Sequence, residues 1–454
     1  VSTFKQNLVK ARSALIFLVG LTLAFWLVYT LETWSPETVI VTESSKIEID
    51  ETLHVGRTHR SLTSDELQMA RIAWRYFENN YVPETGMVNS ADKYPASTMW
   101  DTASYMLGMI AARRLNIIDK AEFNSRVSGL LHTLATMPLF DDILPNKSYN
   151  TKNVSMVSYT NVETERGIGW SAIDVGRIMV PLNILVWHYP EHTNAVSNVL
   201  GHWNLDALVI DAELYGADIG DGGQTILLQE GRLGYEEYAA KSFGLISQDV
   251  SRALDYELHM ELVDIYGVDI AADTRRPSEF GALNYVVSEP YILDGIEYGF
   301  DRTSRELAQR VFEVQRARFE ETGTLTAVSE DNIDEAPYFV YNTVFADGKA
   351  WNAVTESGED ASQFRSVSTK AAIGFHALYQ NEYTDKLVAH VAQNYDEDRG
   401  WYSGIYESSG KPNKAITANT NGIILESLHY IEYGPMMSVR APRASQVAEV
   451  HDQN

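Results

Sequence analysis

The chain contains no cysteine, which removes disulfides, thiolate zinc sites, iron–sulfur clusters and cysteine nucleophiles from consideration. Basic residues are scarce beside acidic ones: 36 Lys and Arg face 62 Asp and Glu, for a formal net charge of −26. Such a field repels polyanions and offers no broad basic face, so nucleic acid is excluded as a partner and a neutral substrate is favoured. HExxH, GxGxxG, Walker A and GxSxG motifs are missing as well, and with them the support for metal, nucleotide, hydride and serine-nucleophile mechanisms. The 11 histidines form no pair at metal-ligand spacing with a carboxylate in a convincing context. The run DIGDGG at Asp218 has the composition of a calcium loop without its spacing, and reads as a turn. No metal and no cofactor is expected.

Aromatic residues are abundant: 25 Tyr, 15 Phe and 9 Trp in a chain that is 45% hydrophobic. That is enough for a large core with rings to spare for a cleft. The one long apolar run, Ala14 to Leu31, carries no charge, follows Lys5, Lys10 and Arg12, and precedes Glu32. It reads as an uncleaved transmembrane anchor, because a signal peptide would have a shorter apolar core and a small-residue cleavage site. The positive-inside rule then puts residues 1–13 in the cytoplasm and the body outside it. The expected location is the inner membrane, by a single span, with the main domain in the periplasm. Residues 32–60 read as a spacer, 61–437 as one domain without an internal linker, and 438–454 as a tail.

Within that domain an aromatic, glycine-bearing loop repeatedly runs into polar residues that begin an apolar helix. The six instances enter helices near residues 101, 174, 236, 291, 365 and 419. In the first, Ala103, Met106, Leu107 and Ile110 share one helical face. Between them lie amphipathic segments such as Ser64 to Tyr81, Lys120 to Thr136 and Thr384 to Asn394. Helix, loop, helix, repeated six times, predicts an all-α (α/α)6 toroid with inner and outer rings. Short β segments such as Glu257 to Ile270 are expected as decorations.

In such a ring the loops leading into the inner helices share one mouth. This sequence places carboxylates there: Asp101 after Trp100, Asp174 after Trp170, Glu236 and Glu237 after Tyr235, and Asp294 near Tyr291. Cleaving a glycosidic bond needs one carboxylic acid to protonate the leaving oxygen and a second carboxylate on the other side. Glu236 and Glu237 are neighbours, so on a helix they point about 100° apart and only one is expected to face the cleft. Trp100, Trp170, Trp351, Trp401, Tyr235, Tyr291 and Tyr402 are the candidate sugar platforms. Arg177, Glu230, Arg232, Asp294 and the stretch TANTNG centred on Thr420 are candidate hydrogen-bonding partners. Each has a plainer structural reading: Asp101 and Asp174 suit helix N-caps, and a lone Trp is more often core.

The segments MWDTASYMLGMIAAR, GWSAIDVGR, QEGRLGYEEYAAKSFGL, SEPYILDGIEYGF and RGWYSGIYE with TANTNGIILESL resemble a bacterial domain family of unknown function. That family is similar to glucoamylase-like (α/α)6 proteins, to endo-β-1,2-glucanases and to cyclic β-1,2-glucan synthase domains. The resemblance covers about residues 60 to 435. By it, YEEY matches a YNEA setting and implies Glu237, with Glu236 as alternate, for the general acid. DVGR implies a substrate or catalytic role for Asp174, although Arg177 stands where the motif has a second acid. Asp101, Asp294 and Asp396 are left as candidates for the base. The expected activity is an endo-acting glycoside hydrolase on β-1,2-glucan or a related periplasmic glucan. The alternatives are a glycan-binding or envelope-assembly protein without catalysis, and a polysaccharide lyase or epimerase.

Overall fold

In the computed structural model the described residues are 22, 40–42, 47–49, 59–276 and 284–438. Two compact units divide the chain, Val1–Ile40 and Val41–Asn454, and everything below concerns the second. The proposed anchor, most of the spacer and the tail beyond residue 438 lie outside the described residues, among which no helix is long and apolar enough to cross a membrane.

Eleven helices carry the architecture among the described residues: α1 (Ser64–Asn80), α2 (Met99–Arg114), α3 (Lys120–Leu134), α4 (Ala172–His188), α5 (Thr193–His202), α6 (Tyr235–Gly244), α7 (Glu289–Leu293), α8 (Arg302–Thr322), α9 (Thr369–Tyr379), α10 (Glu382–Val391) and α11 (Ala418–Tyr433). Helix α7 is short and runs on as a π-helical turn, Asp294–Tyr298. Helices α2, α4, α6, α7, α9 and α11 pack each on the next, and α11 returns to α2, closing an inner ring. Outside it, α1 packs on α11, α3 on α2, α5 on α4, α8 on α7 and α10 on α9.

Sequence separates the two rings by amphipathicity. The outer α1 starts with a full capping box between Thr63 and Glu66 and buries only one stripe, including Ile72, Trp74, Tyr76 and Phe77. The inner α11 buries nearly every side chain from Ala418 to Ile431, as a helix enclosed on all sides must. Small residues let inner helices approach: a Cβ on Gly176 of α4 would lie 2.6 Å from that of Ala239 on α6, and one on Gly422 of α11 would lie 2.7 Å from the Ser104 carbonyl of α2.

The expected toroid is therefore present as a closed inner ring, with one departure. Between α6 and α7 the outer ring has no helix among the described residues; an antiparallel hairpin, Met260–Ile265 with Val268–Asp273, stands there instead. β structure is also more than decoration. The loops fold into small antiparallel sheets, among them Glu213–Ile219 with Thr225–Gln229, and Glu330–Asn332 with Phe339–Asn342. Loops rich in glycine and aromatics close on themselves by pairing, because their backbone groups would otherwise be buried without partners.

Candidate active site

The functional positions are the first residues of the inner helices. Glu289 opens α7, Trp100 and Asp101 are second and third in α2, Asp174 is third in α4, Lys370 is second in α9 and Asn419 second in α11. Glu289, 2% exposed, is the hub. Trp100 Nε1 donates to its Oε1 at 3.1 Å, and the Asn419 amide donates to both its oxygens at 3.0 Å. Lys370 forms an ion pair with it, and Arg177 lies 3.6 Å away. One carboxylate thus ties together helices from five of the six units.

Beneath the hub the ring axis is filled by charge. Arg177, wholly buried, stacks under Trp100 with its guanidinium carbon 4.3 Å from the ring centre, donates to Asn419 Oδ1 at 2.9 Å, and approaches Glu426 at 3.6 Å and Glu297 at 3.8 Å. Burial, reinforced by Glu297, holds the Glu426 carboxyl well above the usual carboxylate range. Tyr238 donates to Glu297 at 2.6 Å. This network fixes the plane of Trp100, which is partly exposed.

Three carboxylates stand beside Trp100, each partly exposed: Asp101, Asp174 and Glu230. The N-caps of α2 and α4 are not the aspartates but Thr98 and Ser171, whose hydroxyls accept from the backbone N–H of Asp101 and Asp174 at 3.1 Å in each case. The aspartates are therefore not needed as caps, and each carboxylate instead meets the cap hydroxyl, Asp101 Oδ2 at 2.9 Å from Thr98 Oγ1. Ser171 Oγ lies 2.7 Å from Glu230 Oε1 and 3.2 Å from Asp174 Oδ1, while the Ala172 N–H donates to Glu230 Oε2 at 2.6 Å. A hydroxyl has one proton to give. The set is satisfied when Asp174 is protonated and donates to Ser171, which donates to an ionised Glu230 held on the helix N-terminus. Burial, then the charges of Glu230 and Asp101, push the Asp174 carboxyl up to about 7. Burial also raises Asp101 and Glu230.

Aromatic rings flank these acids. Tyr235 meets Trp100 edge-on at 5.5 Å, and Tyr159, 56% exposed, lies within electrostatic reach of Asp174, Glu230 and Glu356. From the fifth unit's loop comes Glu330, whose carboxyl is pushed up to about 7 by burial against the pull of Lys370 and Arg177.

Several expectations do not survive the packing. Glu236 and Glu237 are each 3% exposed, so the picture of one turned outward fails for both. Glu236 is held by Arg275 at 2.6 Å and Gln229 at 3.0 Å; Glu237 folds back to accept the Gly234 N–H at 2.7 Å, and burial beside Glu236 pushes it up to about 8. Trp170, Trp351 and Trp401 are core, 2%, 2% and 0% exposed: Trp170 Nε1 donates to the Tyr215 carbonyl at 3.2 Å, the Arg318 guanidinium of α8 covers Trp351 at 4.9 Å, and Trp401 Nε1 donates to the Met69 carbonyl of α1 at 3.0 Å. Burying a side chain of that size contributes about 1.5–3 kcal/mol each. Tyr291 is likewise core, Asp294 is neutralised by Lys241, and the Arg232 guanidinium bonds Gln229 and the Gly231 carbonyl. Arg177 is a floor support without an exposed atom for substrate. Tyr402 is partly exposed but its described bonds run to Asn394, and Asp396 caps a turn at Asp398 beside Arg399. In TANTNG, Thr420 is buried and bonded to Thr417, and Asn421 is spent on Trp401 and Thr417; Asn419 alone faces the hub.

Glu289, Lys370 and Glu330 were missed in sequence, while Asn419 lay within the TANTNG stretch. Glu289 and Lys370 occupy the helix-start positions that Trp100 and Asp174 occupy in their own units, so aligning the repeats by helix start would have found those two.

Residues 68–434 match the family described as "Protein of unknown function (DUF3131)". The chain belongs to that family. No curated protein matches it. Among solved structures, the endo-β-1,2-glucanase of Chitinophaga pinensis, in complex with sophorotriose and glucose, superposes with a TM-score of 0.58 at 10% identity, over 83% of this chain and 94% of that one. The endo-β-1,2-glucanase of Talaromyces funiculosus with sophorose gives 0.55 at 12% identity, over 82% and 84%. A protein of Bacteroides caccae, whose assignment as a glucoamylase is provisional, gives 0.58 at 11% over 82% and 95%. At these identities the likeness establishes the (α/α)6 fold.

Proposed function

We propose that this member of the family is a glycoside hydrolase acting on a neutral glucan, with β-1,2-glucan as the first substrate to try. The observation that carries the reading is the convergence of Asp101, Asp174 and Glu230 beside Trp100, with one of them poised to hold a proton near neutral pH. Asp174 is the general acid: its carboxyl keeps a proton to give to the leaving glycosidic oxygen, and Glu230 keeps it so by charge. Asp101 and Glu330 are the candidates for the second carboxylate that acts on the other side of the bond. Trp100 is the platform for the sugar ring, while Asn419 holds the Glu289 hub beside it. The net charge of −26 favours a neutral chain over a uronic acid polymer. The fold likeness to two glucanases points the same way. We place the activity outside the cytoplasm, on the basic residues that precede the apolar run at 14–31.

The test is incubation of the protein with linear β-1,2-glucan and with glucans of other linkages, followed by reducing-end assay. Release of reducing ends that disappears in Asp174→Asn supports the reading; no release from any glucan overturns it. A second reading, glycan binding without cleavage, is favoured by the burial of Glu236 and Glu237, the acids that the resemblance singled out. It predicts oligosaccharide binding that Asp174→Asn leaves unchanged and no release of reducing ends.

A further inference from the structure

Beside the carboxylates a row of rings leaves Trp100 and runs without a break onto the fifth unit's sheet. Trp100 and Tyr235 lie 5.5 Å apart, Tyr235 and Tyr285 6.4 Å, Tyr285 and Tyr341 4.2 Å in a stack, and Tyr341 and Phe339 5.1 Å. The strand Phe339–Asn342 alternates, so Phe339 and Tyr341 share its partly exposed face while Val340 and Asn342 point inward. Tyr338, 64% exposed, stands at the strand's outer end. Across the ladder Glu330 is opposite Tyr341 and Asn332 is opposite Phe339, which sets a polar group beside each ring on the same face. Tyr235, 7% exposed, has a hydroxyl with no hydrogen-bond partner. A buried donor of that kind is costly unless something arrives to pair with it.

We infer that Tyr235, Tyr285, Tyr341 and Phe339 form an extended glycan track, a second arm of the binding site that holds neutral sugar units beyond those at Trp100. Phe339 and Tyr341, on the partly exposed face of their strand, offer apolar surface to the C–H faces of sugar units, Tyr235 supplies its unpaired hydroxyl, and the polar groups alongside take the other hydroxyls. The row is continuous with the platform at Trp100, and acidic groups beside it, Glu330 and Glu356, exclude an anionic chain. Such an arm makes the protein bind within a long chain rather than only at its end. The inference rests on the reading of the site as glycan-binding.

The test uses the cleavage-silent Asp174→Asn protein and calorimetric titration with linear β-1,2-gluco-oligosaccharides from disaccharide to octasaccharide. Affinity is expected to climb with length, and Phe339→Ala and Tyr341→Leu are each expected to remove about tenfold of that climb, the upper worth of one aromatic contact, while disaccharide affinity stays unchanged. Tyr341→Leu keeps an apolar filler against Tyr285, and an unchanged melting temperature in both variants separates lost binding from lost folding. Length dependence identical in wild type and variants, with short chains still bound and, in the Asp174 protein, cut, overturns the track alone. No binding at any length overturns the track together with the glycan reading beneath it.

Discussion

Asp174 and Glu237 are carboxylates at the same place, the third residue of an inner helix, and they meet opposite fates. On α4 the cap is Ser171, whose hydroxyl takes the N–H of Asp174 and leaves that side chain to the cleft. On α6 the cap is Gly234, which has no side chain, so Glu237 turns back to accept the Gly234 N–H itself and is buried doing so. The two helices differ in the cap, Ser against Gly, and in the length of the acid, Asp against Glu, and the outcome follows that pair of differences. Asp101 behind Thr98 follows Asp174.

The comparison breaks first at Asp174. Asp174→Asn is expected to lower kcat by about 10²–10⁴ with the melting temperature nearly unchanged, measured by reducing-end release; equal losses in Glu237→Gln would reverse the assignment of the acid. Next in size is the buried support of the third unit. Arg275→Met removes the partner of both Glu236 and Asp273, at 2.6 Å each, and should cost about 3–5 kcal/mol in urea unfolding because two buried acids lose their cation.

A smaller effect follows from pH. With Asp174 titrating near 7, kcat should fall about tenfold per pH unit above that point, and a flat profile between pH 6 and 9 would remove Asp174 from the proton transfer. Smallest is Glu237→Gln, whose native side chain is already neutral at pH 7: activity there should stay within about threefold, and stability should match wild type within about 1 kcal/mol at about pH 4, where the side chain is neutral both folded and unfolded. The sign appears on raising the pH. The folded protein holds that proton until about pH 8 while the unfolded chain releases it near 4.5, so wild-type stability is lost progressively between those values. The melting temperature of Glu237→Gln should therefore gain on wild type as pH rises across that window.

The periodic spacing of apolar residues was enough to find the inner helices, because a helix enclosed on all sides needs apolar residues on every face and a polar start that the repeats share. The entry points expected near 101, 174, 236, 291 and 419 each fall within or beside the first turns of α2, α4, α6, α7 and α11, and α9 begins a few residues past the expected 365. The β segment expected over Glu257 to Ile270 is there as the hairpin between α6 and α7; what escaped is that it stands in the place of an outer helix, since a strand buried on one side and a short helix carry similar apolar runs. For the site, Trp100, Asp101, Asp174 and Glu230 were legible as acids and rings at helix entries. Glu289 was not, because nothing in the run SEPY distinguishes a hub from a helix start until five units converge on it.

By itself the sequence determined the composition of the cleft: acidic, aromatic, free of thiols, and built from repeated helix entries. Which of those acids and rings reach the cleft was decided only by tertiary structure. Exposure depends on caps, on partners such as Arg275 and Lys241 that come from distant segments, and on the space left when six helices close on one another. None of these quantities is local to the residue whose role they settle.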